Sequence, residues 1–384
     1  MLNKIIVDDK NRVRHYFFIR EAALVCKCGD SSITLAEGCT DADCCIDDAG
    51  IMYALCACGD GSIVCCTNSG NGWHRYTVMT SKNGNGDICG IRCVCISGRL
   101  NIWYSLDYNG KKMLIHQLVD GEEMIGEPYV AGSLGYKKKF DICCDNDKNT
   151  YVYYVDDEEK LCSIGYLWSQ KKYTPKEIVA DRISNVAVIA DISGRVCIAA
   201  IGKKAEFNVV YFKMRGEEDF RILGFGVDYG CTPAVFAVGD SIYVQWLDNK
   251  ECCECVSRDG GNSFDRPVAI GGMRGGANDI AAYKNSANPL CLGVNRCICN
   301  YAMKMLHEGA IVGSIKKAVS MSDELDEYSK NAAKTMQVSL DVVSRLIALE
   351  NQISAIATIL QQLTQPVTTT GLEQQNINGG VEDE

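Results

Sequence analysis

The chain is short of the residues that catalysis most often draws on. It holds only 4 histidines in 384 residues, so a thiol or hydroxyl nucleophile has few bases within reach. None of His15, His74, His116 and His307 stands in a recognisable cysteine-protease or acyl-transfer context, and no catalytic residue is assigned. No Cys-x2-Cys spacing occurs, which argues against paired zinc knuckles. No metal or cofactor is expected. No apolar run approaches the roughly 18–20 residues of a membrane helix, and the stretch from Met1 to Asp9 has no signal-peptide h-region. Neither membrane insertion nor Sec-type export is therefore expected, and synthesis in the cytoplasm is. Basic residues are in deficit, 39 against 49 acidic for a net charge of -10. That argues against nucleic acid as a ligand, because binding a phosphate backbone is driven by clustered Lys and Arg.

What the chain has in excess is cysteine, 23 residues, in a protein too large to need disulfides for want of a core. With 47% hydrophobic and 23% charged residues it can bury a substantial interior. All the cysteines lie between Cys26 and Cys299, which splits the chain by composition. The expected organisation is a repeat domain over residues 1–303, a connector over 304–321, a helix over 322–364 and an acidic, mobile tail over 365–384.

A unit of about 45 residues recurs. Its clearest copy starts at Cys44-Cys45-Ile46-Asp47-Asp48-Ala49-Gly50, continues through the turn Gly59-Asp60-Gly61, and ends at Gly70-Asn71-Gly72-Trp73-His74-Arg75-Tyr76. The same grammar reappears near Asp8, Ser97, Asn146, Ile192 and Gly239, with a weaker seventh copy from Asn285 to Cys299. Short strands rich in Val, Ile, Tyr and Cys alternate with Gly, Asn and Asp turns, and no long helical period precedes residue 300. Four short strands per unit fit a propeller blade. The expectation is an all-β propeller of about seven four-stranded blades.

Two turns bear on this fold. Ser257-Arg258-Asp259-Gly260-Gly261-Asn262-Ser263-Phe264 resembles the Asp-box of sialidase-like propellers, and Asn68, Gly70 and Trp73 mark a degraded second copy. In such turns the Asp or Asn side chain caps backbone N–H groups, Gly takes a positive φ and the aromatic plugs the gap below. Ser257, Asp259, Gly261 and Phe264 are thus expected to be folding devices. The unit over residues 47 to 78 resembles propeller repeats of clostridial-type proteins. The combination of cysteine, missing export signal and a terminal helix resembles the cysteine-rich proteins that self-assemble into the exosporium or coat of spore formers, which implies deposition on a spore or particle surface.

From Ser322 to Leu363 the chain lacks Pro and Gly. Leu346, Leu349, Ile353, Ile356, Leu360 and Leu363 are spaced three then four, the a/d seam of a coiled coil, and the mix of Ile and Leu leans towards three strands or more. A homo-oligomer is expected, with packing of this face onto the propeller as the rival. About half of the cysteines are expected to be small buried hydrophobes. Others, namely Cys39, Cys44, Cys45, Cys65, Cys66, Cys89, Cys143, Cys144, Cys231, Cys252 and Cys253, lie in turns or vicinal pairs, where strand alternation would turn one thiol outward. These are the candidates for cross-links between chains.

Three functions follow. The first is a self-assembling structural protein joined by its helix and by disulfides. The second is a glycan- or receptor-binding propeller of a phage-tail or injection-system fibre, with Trp103, Tyr104, Trp168 and Trp246 as stacking candidates. The third is a sialidase-like glycosidase, but the arginine motif that family carries is met only by Phe220-Arg221-Ile222-Leu223, mid-chain and without its Pro. The acidic runs Asp156-Asp157-Glu158-Glu159 and Asp323-Glu324 read as a solvated turn and a helix start. The structural role is the main expectation and no enzyme activity is expected.

Overall fold

The computed structural model describes residues 4–9, 11, 13–81, 88–135, 139–248, 251–272, 281–285, 295–297 and 349. The chain divides into two compact units, Met1–Lys316 and Lys317–Glu384. In the second, only Leu349 is described, and it is helical and exposed. Leu346, Ile353, Ile356, Leu360 and Leu363 lie outside the described residues, as does the tail.

The described residues of the first unit are all-β and form six sheets, antiparallel apart from one parallel pair in the first and following one another along the chain apart from the two last strands, which join the first. The second sheet is typical: Cys39–Ile46, Met52–Cys58, Ser62–Asn68 and Trp73–Thr80 pair each with the next. The third runs Ile88–Ile96, Arg99–Tyr108, Lys111–Asp120 and Glu123–Leu134. Phe140–Cys144, Thr150–Val155, Leu161–Leu167 and Lys172–Tyr173 make the fourth, with Glu177–Ala180 also on the third of these strands. The fifth and sixth open with the inner strands Ile183–Ala190 and Ala234–Val238.

Hydrophobic layers between the sheets reveal a ring. One layer joins the first sheet to the second through Phe17 and Cys56, the next joins second to third through Leu55 and Ile102, and another joins third to fourth through Trp103 and Tyr154. Tyr153 and Ile198 join fourth to fifth, Phe212 and Val244 join fifth to sixth, and Phe236 with Ile6 returns from the sixth to the first. Sheets that each pack on two neighbours and close on themselves form a β-propeller. Among the described residues there are six sheets, against the about seven blades expected. The described strands just before and within the seventh copy, Ala281–Asn285 and Asn295–Cys297, belong to the first sheet.

That addition closes the ring. Ala281–Asn285 pairs in parallel with Lys4–Asp8, and Tyr283 donates its hydroxyl to Asp8 Oδ2 at 2.7 Å. Lys284, fully interior, donates to Asp43 Oδ1 and Oδ2 at 3.1 and 3.2 Å and to the Cys44 carbonyl. Burial opposes its charge, yet Asp43 together with the thiols of Cys93, Cys45 and Cys44 outweighs this and raises the ammonium pKa. Inner-strand carboxylates tie sheet to sheet around the ring. Asp41 Oδ2 accepts from Ile91 N at 3.0 Å, Asp43 Oδ2 from Cys93 N at 2.9 Å, and Asp141 Oδ2 from Val188 N at 2.8 Å.

Turn chemistry accounts for the sequence repeat. Asp47, Asp145 and Asp191 each end an inner strand and accept, through Oδ1, the N–H of the residue four positions on, at 2.8, 2.8 and 2.9 Å. Asp47 and Asp145 use Oδ2 to hold Tyr53 and Tyr151 hydroxyls. The residue three positions after the Asp takes a positive φ, 83° at Gly50 and 79° at Gly194, where a Cβ is disfavoured. At Gly194 a Cβ would also stand 2.9 Å from Asn146 N.

Ser257 and Asp259 build a related turn. Gly261 N donates to Ser257 Oγ at 2.7 Å and Ser263 N to Asp259 Oδ1 at 2.9 Å, while Phe264 packs on Phe212 with ring centroids 4.7 Å apart. Hydrogen bonds from the Ser263 hydroxyl, the Ser263 N–H and the Ser257 hydroxyl hold the Asp259 carboxyl well below the usual range. Asn68 Oδ1 accepts from Gly70 N at 2.7 Å, and Trp73 meets Phe17 edge-on.

The vicinal cysteines depart from expectation. Cys44 and Cys45, Cys65 and Cys66, and Cys143 and Cys144 are buried at both members, and Cys39, Cys231 and Cys252 are buried too. Each sheet has a neighbour on either face, so alternation along a strand points one thiol into one layer and the next into the other. The Cys44, Cys45, Cys65, Cys66 and Cys143 thiols are free, and desolvation pushes their pKa values up, to about 12 for Cys65. They are neither exposed nor activated for exchange between chains. Cys253 is half-buried, and the Cys89 side chain lies outside the described residues.

Candidate functional site

The seam between the third and fourth sheets carries the main concentration of polar groups left without partners. On the third sheet, cross-strand pairing sets Arg92, Trp103, His116 and Tyr129 in one row. Facing it, the fourth sheet sets Cys144, Thr150, Tyr166 and Tyr173 in another. Both rows arise because directly paired residues of antiparallel strands share a face.

The rings interlock. Trp103 stacks on His116 at 4.3 Å and 21°, Tyr129 stacks on Tyr173 at 3.5 Å and 9°, and Tyr166 lies 5.2 Å from His116. Trp168 meets Tyr166 edge-on at 6.4 Å. Trp103, His116 and Tyr166 are buried, whereas Tyr129, Trp168 and Tyr173 are half-buried at the outer end. The seam thus passes from a wet aromatic mouth to a dry interior.

In that interior, Trp103 Nε1, His116 Nε2, Thr150 Oγ1, Asn101 Oδ1 and Arg92 Nε are buried without a hydrogen-bond partner among the described residues. An unmatched buried donor or acceptor costs about 1–3 kcal/mol, so five in one seam make it the least satisfied polar region among the described residues. His116 Nδ1 and the Tyr173 hydroxyl are 2.7 Å apart. We assign the phenol as donor, being the stronger acid, which leaves Nε2–H as the group presented to the interior. Burial lowers the His116 pKa to about 3, so the ring is neutral at ordinary pH.

Charge at the seam is balanced. The guanidinium of Arg92 is desolvated and sits in the field of Asp41, Asp43 and Asp141, which keeps it ionised. At the mouth, Arg99 Nε binds Asp120 Oδ2 at 2.9 Å. No group of His, Cys, Asp or Glu side chains suited to hold a metal occurs among the described residues.

Of the stacking candidates named from sequence, Trp103, Tyr104 and Trp246 are interior and cannot meet a ligand at the surface. Trp168 does lie at the seam mouth. Arg221 is engaged by Glu217 through two hydrogen bonds of 2.7 and 2.6 Å. In the acidic run, Asp156 is buried and caps its own turn by accepting from Glu158 N and Lys160 N. Sequence reasoning missed Tyr129, Tyr166, Tyr173 and His116. Their common row depends on the register of several strands, which no local spacing records.

No family model matches the chain, and no curated protein matches it. Among solved structures it is similar to AofleA from Arthrobotrys oligospora, at 15% identity and a TM-score of 0.44 over 62% of this chain and 73% of that one. It is also similar to the SapL1 lectin in complex with alpha methyl fucoside, at 10% identity and 0.44 over 72% and 97%. A third is the Hadza microbial sialidase Hz136, at 8% identity and 0.43 over 71% and 68%. The propeller assignment stands on sheet order and the closed ring of inter-sheet layers, not on these likenesses.

Proposed function

We propose that the protein binds a saccharide at the seam between its third and fourth sheets. The observation that carries this reading is the half-buried aromatic cluster of Tyr129, Trp168 and Tyr173 at the outer end of a seam whose buried polar atoms include five without partners among the described residues. Sugars present both chemistries at once, C–H faces that stack on rings and hydroxyls that pair with buried N–H and O groups.

A shell fastened by disulfides is the less supported reading, since most of the thiols it would use are buried. A helix over 322–364 that oligomerised through its heptads would instead multiply the site and raise avidity.

The experiment is glycan binding by the full chain and by Trp168→Ala. Trp168 is half-buried and outside the interior rows, so its loss should remove binding while leaving thermal unfolding within a few degrees. Undiminished binding by that variant would move the site elsewhere.

A further inference from the structure

Independently of saccharide binding, we propose that Cys39 and Cys58 are a site of reversible oxidation, closing a disulfide within the second sheet when the folded protein meets a peroxide. The two residues sit opposite each other where Cys39–Ile46 pairs with Met52–Cys58. Cys39 N donates to the Ala22 carbonyl at 2.7 Å and Gly59 N to the Gly38 carbonyl at 2.8 Å, so the pair is of the kind that exchanges no backbone hydrogen bonds. Such facing residues lie about 4.5 Å apart at Cα, inside the span of about 4.4–6.8 Å that a disulfide bridges. What the bridge replaces is two weak S–H bonds, from Cys39 Sγ to the Asp41 carbonyl at 3.4 Å and from Cys58 Sγ to the Glu37 carbonyl at 3.6 Å.

A third thiol lies between them and is not a partner. Cys56 Sγ is 3.6 Å from Cys58 Sγ, but these residues are two apart on one strand. A rise of about 3.3 Å per residue then separates their Cβ atoms by more than the roughly 3.5–4.5 Å a disulfide allows. Hydrogen bonding to Cys39 and burial also push the Cys56 pKa up, which disfavours its thiolate.

Position supplies access. Cys39 and Cys58 are buried, yet exposed Gly38 and Thr40 flank the first, and exposed Gly59 and Asp60 follow the second. Local opening of this end of the hairpin brings both sulfurs to water. Cys44 and Cys45, by contrast, have buried neighbours on both sides.

The step balances with one hydrogen peroxide. One of the two thiolates attacks the O–O bond, giving a sulfenic acid and, after proton transfer, water. The other thiol attacks that sulfur, forming the S–S bond and releasing a second water. Two thiols are oxidised and one peroxide is reduced.

The test uses the full chain, folded, treated with hydrogen peroxide, alkylated under denaturing conditions and cut before aspartates. That cut isolates Cys39 in residues 30–40 and Cys56 with Cys58 in residues 48–59. Mass spectrometry should find the two peptides joined, and a thiol reductant should part them. The join should vanish in Cys39→Ala and in Cys58→Ala and persist in Cys56→Ala. The urea midpoint of the oxidised wild type should rise above that of the reduced protein, because the bond constrains the unfolded chain, and Cys39→Ala should lack that shift.

Peptides left unjoined would overturn the proposal, as would a join that survives Cys58→Ala but not Cys56→Ala. So would a join formed only in urea, or only in dimers seen by electrophoresis without reductant. None of these outcomes bears on saccharide binding, which rests on other residues.

Discussion

Lys284→Met probes the ring closure directly. Lys284 and Asp43 are both interior, with side-chain exposures of 4% and 0%, and they come from opposite ends of the repeat domain. Removing the cation leaves Asp43 buried with the Cys93 N–H as a hydrogen bond and the Arg92 guanidinium as the charge that still faces it. Breaking one partner of a buried pair costs about 3–5 kcal/mol, because the survivor's charge is uncompensated. The retained hydrogen bond and guanidinium place the expected loss near the lower figure. Urea unfolding followed by tryptophan fluorescence, with the slope held constant, measures it. Arg258→Met serves as the control, since its partner Asp265 is at the surface and the two side chains are 70% and 53% exposed. That loss should stay within about 1 kcal/mol. Adding Asp43→Asn to Lys284→Met should recover part of the stability, because the second change removes the stranded charge. If the single variant lost no more than the control, the closing role of the strand Ala281–Asn285 would be refuted.

Other consequences are equally specific. The depressed His116 pKa makes stability fall with acid: below the ordinary value of 6.5 the unfolded imidazole takes up a proton that the folded one refuses until about pH 3. The expected slope is about 1.4 kcal/mol per pH unit across that window, absent in His116→Phe, and an unchanged slope in that variant would contradict the assignment. Gly194→Ala should destabilise by roughly 1–2 kcal/mol from the left-handed backbone alone, with more from the approach to Asn146; a thermal midpoint equal to wild type would be inconsistent with the turn. The buried thiols of Cys44, Cys45, Cys65, Cys66 and Cys143 should react with Ellman's reagent only as the protein unfolds, a titration in urea that fast native labelling at these positions would defeat.

Much of the wheel can be read from local chemistry. The Asp-x-x-Gly turns at Asp47 and Asp191 carry the period because a carboxylate capping a hairpin and a residue at positive φ are needed wherever the inner strand reverses. Lys148 fills the Gly position in the copy at Asp145, at φ 66°, so the turn persists there without its glycine. The sheet count was less legible. Residues near Asn285 repeat the strand grammar, yet Ala281–Asn285 finds the open edge of Lys4–Asp8 and completes an existing sheet. Edge pairing depends on which strand lacks a neighbour, a property of the closed ring.

The same division separates what belongs to the sequence from what belongs to the fold. Strand length, turn type and the all-β character are set by residues within a few positions of one another, so the chain alone determines them. The fate of the cysteines and the place of the site are not local quantities. Alternation along a strand says that Cys65 and Cys66 face opposite ways, but only a sheet covered on both sides makes both directions interior. Trp103, His116 and Thr150 come together as unmatched polar groups only when two sheets meet, because unmatched polar groups are defined by what packs opposite them, and packing is settled by the tertiary structure.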